Sequence, residues 1–202
     1  MRELFLFFMG LFSVITLRGQ DCTYNKLSKQ YNFKIHVKSV PQGGETDSVF
    51  ISVGIYSKEK KLLQQIKFGS DFFLLPFTDC TKYRSYTTGV NRDNQVMDWD
   101  YGDIIVADFN FDGAEDLAVK KEQGSNSGPR YNYYIKGNKG LFKKDTFLSD
   151  TMEYFPSEFI GHQKKLIGRV RANTYEYNET TYQYNNETKN WKVLKKVLKN
   201  YP

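Results

Sequence analysis

The sequence predicts a mostly β chain, folded as a single antiparallel β-sandwich or open β-barrel. Three observations predict it. Apolar residues alternate with polar ones over several short runs, which is the period of a half-buried strand. Turn residues separate the runs at short intervals, and neither a heptad pattern nor an internal repeat is present. Aromatic residues are abundant, with 15 Tyr, 16 Phe and 2 Trp in 202 residues, and such a composition buries a core rather than staying disordered.

The elements follow in order. Leu4 to Leu17 is an apolar run of 14 residues behind Arg2. It is too short for a bilayer, which needs about 20 residues, and reads as the apolar part of a secretory signal ending at Gly19. Residues 1–19 are therefore set aside as a leader, and 20–202 read as one β domain that is periplasmic or secreted, with no membrane attachment once the leader is cleaved. Asp21 stands where a lipidation motif wants a small residue before Cys22, so the cysteine is not read as a lipid anchor. Cys22 and Cys80 are the only two cysteines, and an even pair in an oxidising compartment predicts a disulfide.

Tyr31 to Val40 places Phe33, Ile35 and Val37 on one face and Lys34, His36 and Lys38 on the other. Pro41-Gln42-Gly43-Gly44 is a turn signal. Val49 to Tyr56 is a second strand, and Ser57 to Lys60 turns into a third from Lys61 to Phe68, where Leu62-Leu63 also permits a short helix. Phe72 to Phe77 is broken by Pro76 and reads as an edge or loop. Residues 78–100 are polar and irregular. Asp103 to Ala107 reads as a buried strand, Leu117 onward as another, and Tyr131 to Lys136 as a third closed by the turn Gly137 to Gly140. Lys165 to Tyr177, Thr180 to Tyr184 and Trp191 to Leu198 read as a closing meander. Its expected turns lie at Asn178-Glu179 and Asn185 to Glu187, and a terminal helix is the alternative for the last segment.

Cleavage after Gly19 leaves 27 Lys+Arg against 22 Asp+Glu. A basic excess this small, with no nucleic-acid-binding motif, excludes nucleic acid as the expected partner. Two His and two Cys exclude most zinc centres. No nucleophile motif surrounds either cysteine, and Asp98 and Asp100 carry no cleft signature, so the chain is not read as an enzyme.

The most informative stretch runs from Asp103 to Val119. Within it Asp108, Asn110, Asp112 and Asp116 follow D-x-N-x-D-G-x-x-D. Calcium takes six to eight hard oxygens near 2.4 Å. Alternate residues of a curled loop can converge on one ion, Gly113 permits the sharp turn, the Ala114 carbonyl faces inward and Asp116 closes the site. Val119 stands where an EF-hand needs a bidentate Glu, and strands flank the loop. The expectation is a β-loop-β Ca2+ site with Asp108, Asn110, Asp112, Ala114 and Asp116 as ligands.

This loop resembles the calcium loop of FG-GAP, or integrin-type, propeller repeats, but it occurs once rather than blade after blade. A single loop in a small exported β domain is more similar to periplasmic calcium-binding proteins related to I-type lysozyme inhibitors, some of which are immunity proteins against wall-degrading effectors. The resemblance covers residues 100 to 198 and is strongest over 103–135. Ser127-Gly128-Pro129-Arg130-Tyr131 is similar to the Ser-Gly-x-x-Tyr loop that these inhibitors insert into a lysozyme cleft, with Pro129 stiffening it here.

The resemblance implies an exported inhibitor or immunity protein that binds a lysozyme-like or lytic transglycosylase enzyme. Ser127, Gly128, Arg130 and Tyr131 would form its contact, exposed near the calcium loop. The competing expectation is a calcium-stabilised structural or carbohydrate-contacting module of the envelope, using exposed aromatics such as Tyr83, Tyr86, Trp99 and Tyr101.

Overall fold

The computed structural model describes residues 19–42, 45–70, 80–91, 96, 99–125 and 127–201. The expected leader up to Arg18, the glycines of the Pro41–Gly44 turn and the Phe72–Phe77 run lie outside the described residues. Among those described, no helix is long and apolar enough to cross a membrane.

Three sheets follow one another along the chain. The first is an antiparallel meander of β1 (Gly19–Tyr24), β2 (Tyr31–Gln42), β3 (Glu45–Ser57) and β4 (Leu62–Ser70). Its register sets Phe33 opposite Ile55, Ile35 opposite Val53 and Val37 opposite Ile51. All six are buried, so the expected alternation decides which face of β2 and β3 turns inward. Asp21 on β1 pairs with Lys34 and His36 on the exposed face of β2, where such pairs contribute little.

The central sheet has the order β5 (Tyr83–Ser85), β6 (Ile104–Ala107), β7 (Asp116–Ser125), β8 (Gly128–Lys136) and β9 (Phe142–Lys144). β5 runs parallel to β6 and the remaining neighbours are antiparallel. The third sheet is an antiparallel meander of β10 (Glu158–Ile160), β11 (Lys165–Arg171), β12 (Glu176–Asn185) and β13 (Asn190–Asn200).

The strand order of each sheet is open, and the architecture is a β-sandwich with the central sheet covered on both faces. Ile104, Val106, Leu117, Val119 and Tyr134 pack with the first sheet in one core. Their neighbours Ile105, Ala107, Ala118, Tyr131 and Tyr133 pack in a second core with Leu166, Tyr182, Tyr184 and Trp191 of the third sheet. That is why β6 reads as a continuous apolar run: both faces of the strand are buried. Leu148 and Met152, on a short π-helical turn, and Phe155 complete the second core.

Some local expectations are corrected. Asn178 and Glu179 lie inside β12, paired with Val170 and Arg169. The turn falls instead at residues 172–175, where the Asn173 side chain accepts the N–H groups of Tyr175 and Glu176, an Asx-type closure. The C-terminal segment is strand rather than helix, held by ten paired positions on β12. Leu62 also belongs to a strand. β1 and β5 were not predicted: β1 carries Cys22 and charged Asp21 in a short run, and β5 has only three residues.

Candidate functional site

The loop between β6 and β7 is shaped by its two phenylalanines. Phe109 is fully buried and packs edge-on to Tyr133, 5.0 Å between ring centroids, and to Phe155 at 5.8 Å. Phe111, at φ +59°, sits 6.3 Å from the Trp191 ring. With these rings anchored in the second core, the alternating Asp108, Asn110 and Asp112 are left to form the polar side of the curl. Gly113 takes φ +86°, the left-handed conformation that the sequence anticipated for it.

The polar side chains close on the loop's own backbone. Asp108 accepts the N–H groups of Asp112 at 3.0 Å and Gly113 at 2.9 Å. Asp112 accepts Ala114 N–H at 2.8 Å and the Asn110 amide at 2.9 Å. Asp116 is completely buried and accepts Phe109 N–H and Lys136 N–H, both at 2.9 Å. Asp116 therefore joins both ends of the loop to the end of β8.

The charges of these groups are poorly matched. No ion pair among the described residues involves Asp108, Asp112 or Asp116. Burial pushes the Asp116 carboxyl up to about 8; the charges of Asp112 and Asp108 push the same way, against its two N–H donors. Burial also raises Asp108, and the Asp112 charge adds to it. Three carboxylates with an amide and no cationic side chain are the donor chemistry of a hard divalent ion, so these residues fit calcium by type. Among the described residues no group of three or more His, Cys, Asp or Glu is gathered to hold a metal.

Sequence reasoning passed over Glu115. It points the opposite way from Asp116 and is buried. Its carboxylate accepts the Ser28 hydroxyl, Lys29 N–H at 2.9 Å, the Thr87 hydroxyl at 2.8 Å and Gln30 N–H at 3.4 Å. Burial alone would raise this carboxyl, but the four donors outweigh burial and hold it below the usual glutamate range. Glu115 thus fastens the loop to the segment between β1 and β2. Its partners lie 28 to 87 positions away in the chain, so no local motif could reveal them.

The expected contact loop is divided by the fold. Ser127 stands at the tip of the β7–β8 hairpin, which closes with Ser125 opposite Gly128, and its hydroxyl donates to Arg171 O at 3.3 Å. Gly128 is buried at φ +91°. Arg130 is engaged by Glu122 and, at 3.2 Å, by Glu153. Tyr131 is fully buried and donates its hydroxyl to Gly102 O at 3.0 Å. Tyr131 is therefore a core residue rather than a contact residue, because β8 turns it toward the third sheet.

The hairpin is also not beside the acidic loop. β7 begins at Asp116 and ends at Ser125, and ten residues of strand span about 30 Å. One strand between two loops sends them to opposite ends of the sheet.

The Cys22–Cys80 disulfide is formed, across 58 positions. It ties the edge strand β1 to the segment ahead of β5. Among the candidate aromatics, Tyr83 packs against the first core and Tyr86 is 49 % exposed. Tyr86 stacks on Phe155 at 5.9 Å and lies 5.2 Å from Phe159, while Tyr101 sits 4.7 Å from Phe155. Asp98 lies outside the described residues, and Asp100 is turned onto Lys120.

Comparison with known proteins adds no relative: no family model, curated protein or solved structure matches the chain.

Proposed function

We propose that the chain is an exported, calcium-binding β-sandwich protein that acts by binding rather than by catalysis. The observation that carries this reading is the acidic loop. Asp108, Asp112 and the buried Asp116 sit within one Gly-turned loop with no basic side chain set against them in any ion pair of the described residues. A buried carboxylate without a counter-charge is costly, and a divalent cation held by Asp108, Asn110, Asp112, the Ala114 carbonyl and Asp116 would remove that cost. Bound there, calcium supplies positive charge and fixes the loop.

As a partner, the reading favours envelope glycan. The half-exposed Tyr86 ring, backed by Phe155 and Phe159, offers the flat apolar face on which a sugar ring stacks. The second reading, an inhibitor or immunity protein for a lysozyme-like or lytic transglycosylase enzyme, draws on Ser127 at the hairpin tip, with Tyr131 holding the strand beneath it.

The calcium half is tested by melting the mature protein with calcium and with EDTA. Stabilisation of about 2.7 kcal/mol is expected at a hundredfold excess over Kd, and Asp112→Ala should abolish most of it. Equal melting temperatures would defeat the site. The partner half is tested by co-sedimentation with purified sacculi and by a cell-wall lysis assay. Sedimentation lost in Tyr86→Ala supports the glycan reading. Inhibition lost in Ser127→Ala supports the inhibitor reading instead.

A further inference from the structure

Lys120 lies on β7, outside the acidic loop and the hairpin tip, and its side chain is completely buried. Its ammonium nitrogen is 2.7 Å from Asp103 Oδ1 and 2.8 Å from each carboxylate oxygen of Asp100. The Asp103 and Asp100 side chains are only 4 % and 13 % exposed. Asp103 immediately precedes β6, and its carbonyl accepts Lys120 N–H at 2.8 Å, so the two residues face each other directly across the β6–β7 ladder. On its other side Lys120 is paired in register with the fully buried Tyr131. Gly102 N–H fixes Asp100 at 3.1 Å. A second cation, Lys82, is 3.6 Å from Asp100 and 43 % exposed.

We propose that Lys120 and Asp103 form an intramolecular isopeptide bond, with Asp100 as the proton carrier that assists it. Lys120 and Asp103 are ions held out of water, and buried ions carry a desolvation cost that their attraction does not always recover. Moving one proton from Lys120 to Asp103 turns that pair into an amine beside a carboxylic acid. The amine nitrogen then lies within about 4 Å of the Asp103 Cγ carbon, whatever the angle at the oxygen, so a small shift brings it to the approach of about 3–3.5 Å that attack needs.

The step balances without any co-reactant. The Lys120 Nζ lone pair adds to Cγ of protonated Asp103, forming the C–N bond. Asp100 takes a proton from the nitrogen and passes it to the Asp103 hydroxyl, which leaves as water when the C–O bond breaks. Asp100 ends as it began, an ionised carboxylate. The product is a neutral amide joining β6 to β7, with both charges of the pair removed. Burial raises the Asp103 carboxyl, which favours its protonated form. Burial opposes ionisation of Asp100 as well, but Lys120 and the Gly102 N–H outweigh it and hold Asp100 below the usual range, so it stands as the carboxylate that the transfer needs.

The experiment is mass spectrometry of the mature, folded protein after reduction, unfolding and cleavage on the N-terminal side of aspartates. Cuts at Asp108, Asp112 and Asp116 separate Asp103 from Lys120 unless a covalent bond joins them. The expected result is one branched fragment carrying both residues, lighter by one water than its two parts. Asp103→Ala and Lys120→Met should yield separate fragments. In case either fails to fold, Asp100→Asn leaves the reacting pair intact. It should slow linkage at least tenfold while keeping the Cys22–Cys80 disulfide and a wild-type circular dichroism spectrum. Separate, full-mass fragments from the folded wild type would overturn the proposal. Linkage of Asp100→Asn at the wild-type rate would overturn the role given to Asp100.

Discussion

Replacing both cysteines, as Cys22→Ala with Cys80→Ala, should cost more stability than any single surface change in the molecule. The bridge closes a loop of 58 positions, and the chain-entropy model assigns such a loop about 4 kcal/mol. Cys22 is also 1 % exposed within the first core, so losing its sulfur adds a packing penalty of about 1 kcal/mol. For a domain of this size each kcal/mol moves Tm by about 2–4 °C, which places the expected drop at about 10–20 °C.

The loss should also be unevenly distributed. β1 is an edge strand with β2 as its neighbour in the sheet, and the disulfide is its covalent tie to the segment ahead of the central sheet. Without that tie β1 can open separately from the rest, so the amides of Gln20 to Tyr24 should exchange faster than those of β3. Thermal melts and hydrogen exchange of the oxidised protein and the double variant decide the matter. A Tm change below about 3 °C, or two labelled thiols in oxidised protein recovered from an exporting host, would refute the reasoning.

Other outcomes follow from single contacts. Gly113→Ala should destabilise by about 1–2 kcal/mol through its φ of +86° alone, because nothing lies within 4 Å of the added Cβ; chemical denaturation measures it. Gly124→Ala should cost distinctly more, since its Cβ would lie 1.8 Å from Gly128 O at a φ of +71°, and loss of the β7–β8 tip pairing should be visible in the amide spectrum. Tyr131→Phe should lose about 1 kcal/mol by leaving Gly102 O without its hydroxyl donor, while sacculus binding and lysis inhibition stay at the wild-type level. Glu115→Gln should lose about 2 kcal/mol, because an amide nitrogen would be set against the donors of Ser28, Lys29 and Thr87.

The strands whose two faces differ were legible in the sequence. Phe33, Ile35 and Val37 alternate with charged neighbours, so the buried face of β2 could be read directly. β6 was legible for the opposite reason, since Ile104-Ile105-Val106 has no polar member and must be covered on both sides. What such a run cannot give is the identity of the two covering layers. A third sheet packing against Ile105 and Tyr133 depends on Leu166, Tyr182 and Trp191, which are far along the chain. The same limit explains Tyr131. Ser-Gly-x-x-Tyr has the composition of a surface turn, yet the parity of β8 sends residues 131 and 133 into the second core. In the acidic loop the turn at Gly113 was legible, because a short motif controls it. Glu115 was not, because its partners come from Ser28 to Gln30 and from Thr87.

Three of the contacts that hold β7 are spread along its length, and they decide how far calcium could act. Asp116 fixes its first residue to Phe109 and Lys136. Lys120 fixes its middle to Asp100 and Asp103. The approach of Gly124 to Gly128 fixes its far end. An ion binding at Asp108 to Asp116 would strengthen the first of these points and leave the other two as they are. Ordering should therefore be confined to the loop, to Lys136 at the end of β8 and, through Glu115, to residues 28–30. Hydrogen exchange with calcium and with EDTA tests this directly. Protection gained at 108–116 and 28–30, with none at 124–128, is the expected pattern. Equal gains at the hairpin tip would mean that β7 transmits order past Lys120, and an inhibitor reading in which calcium prepares Ser127 for its partner would then gain the physical link that it lacks.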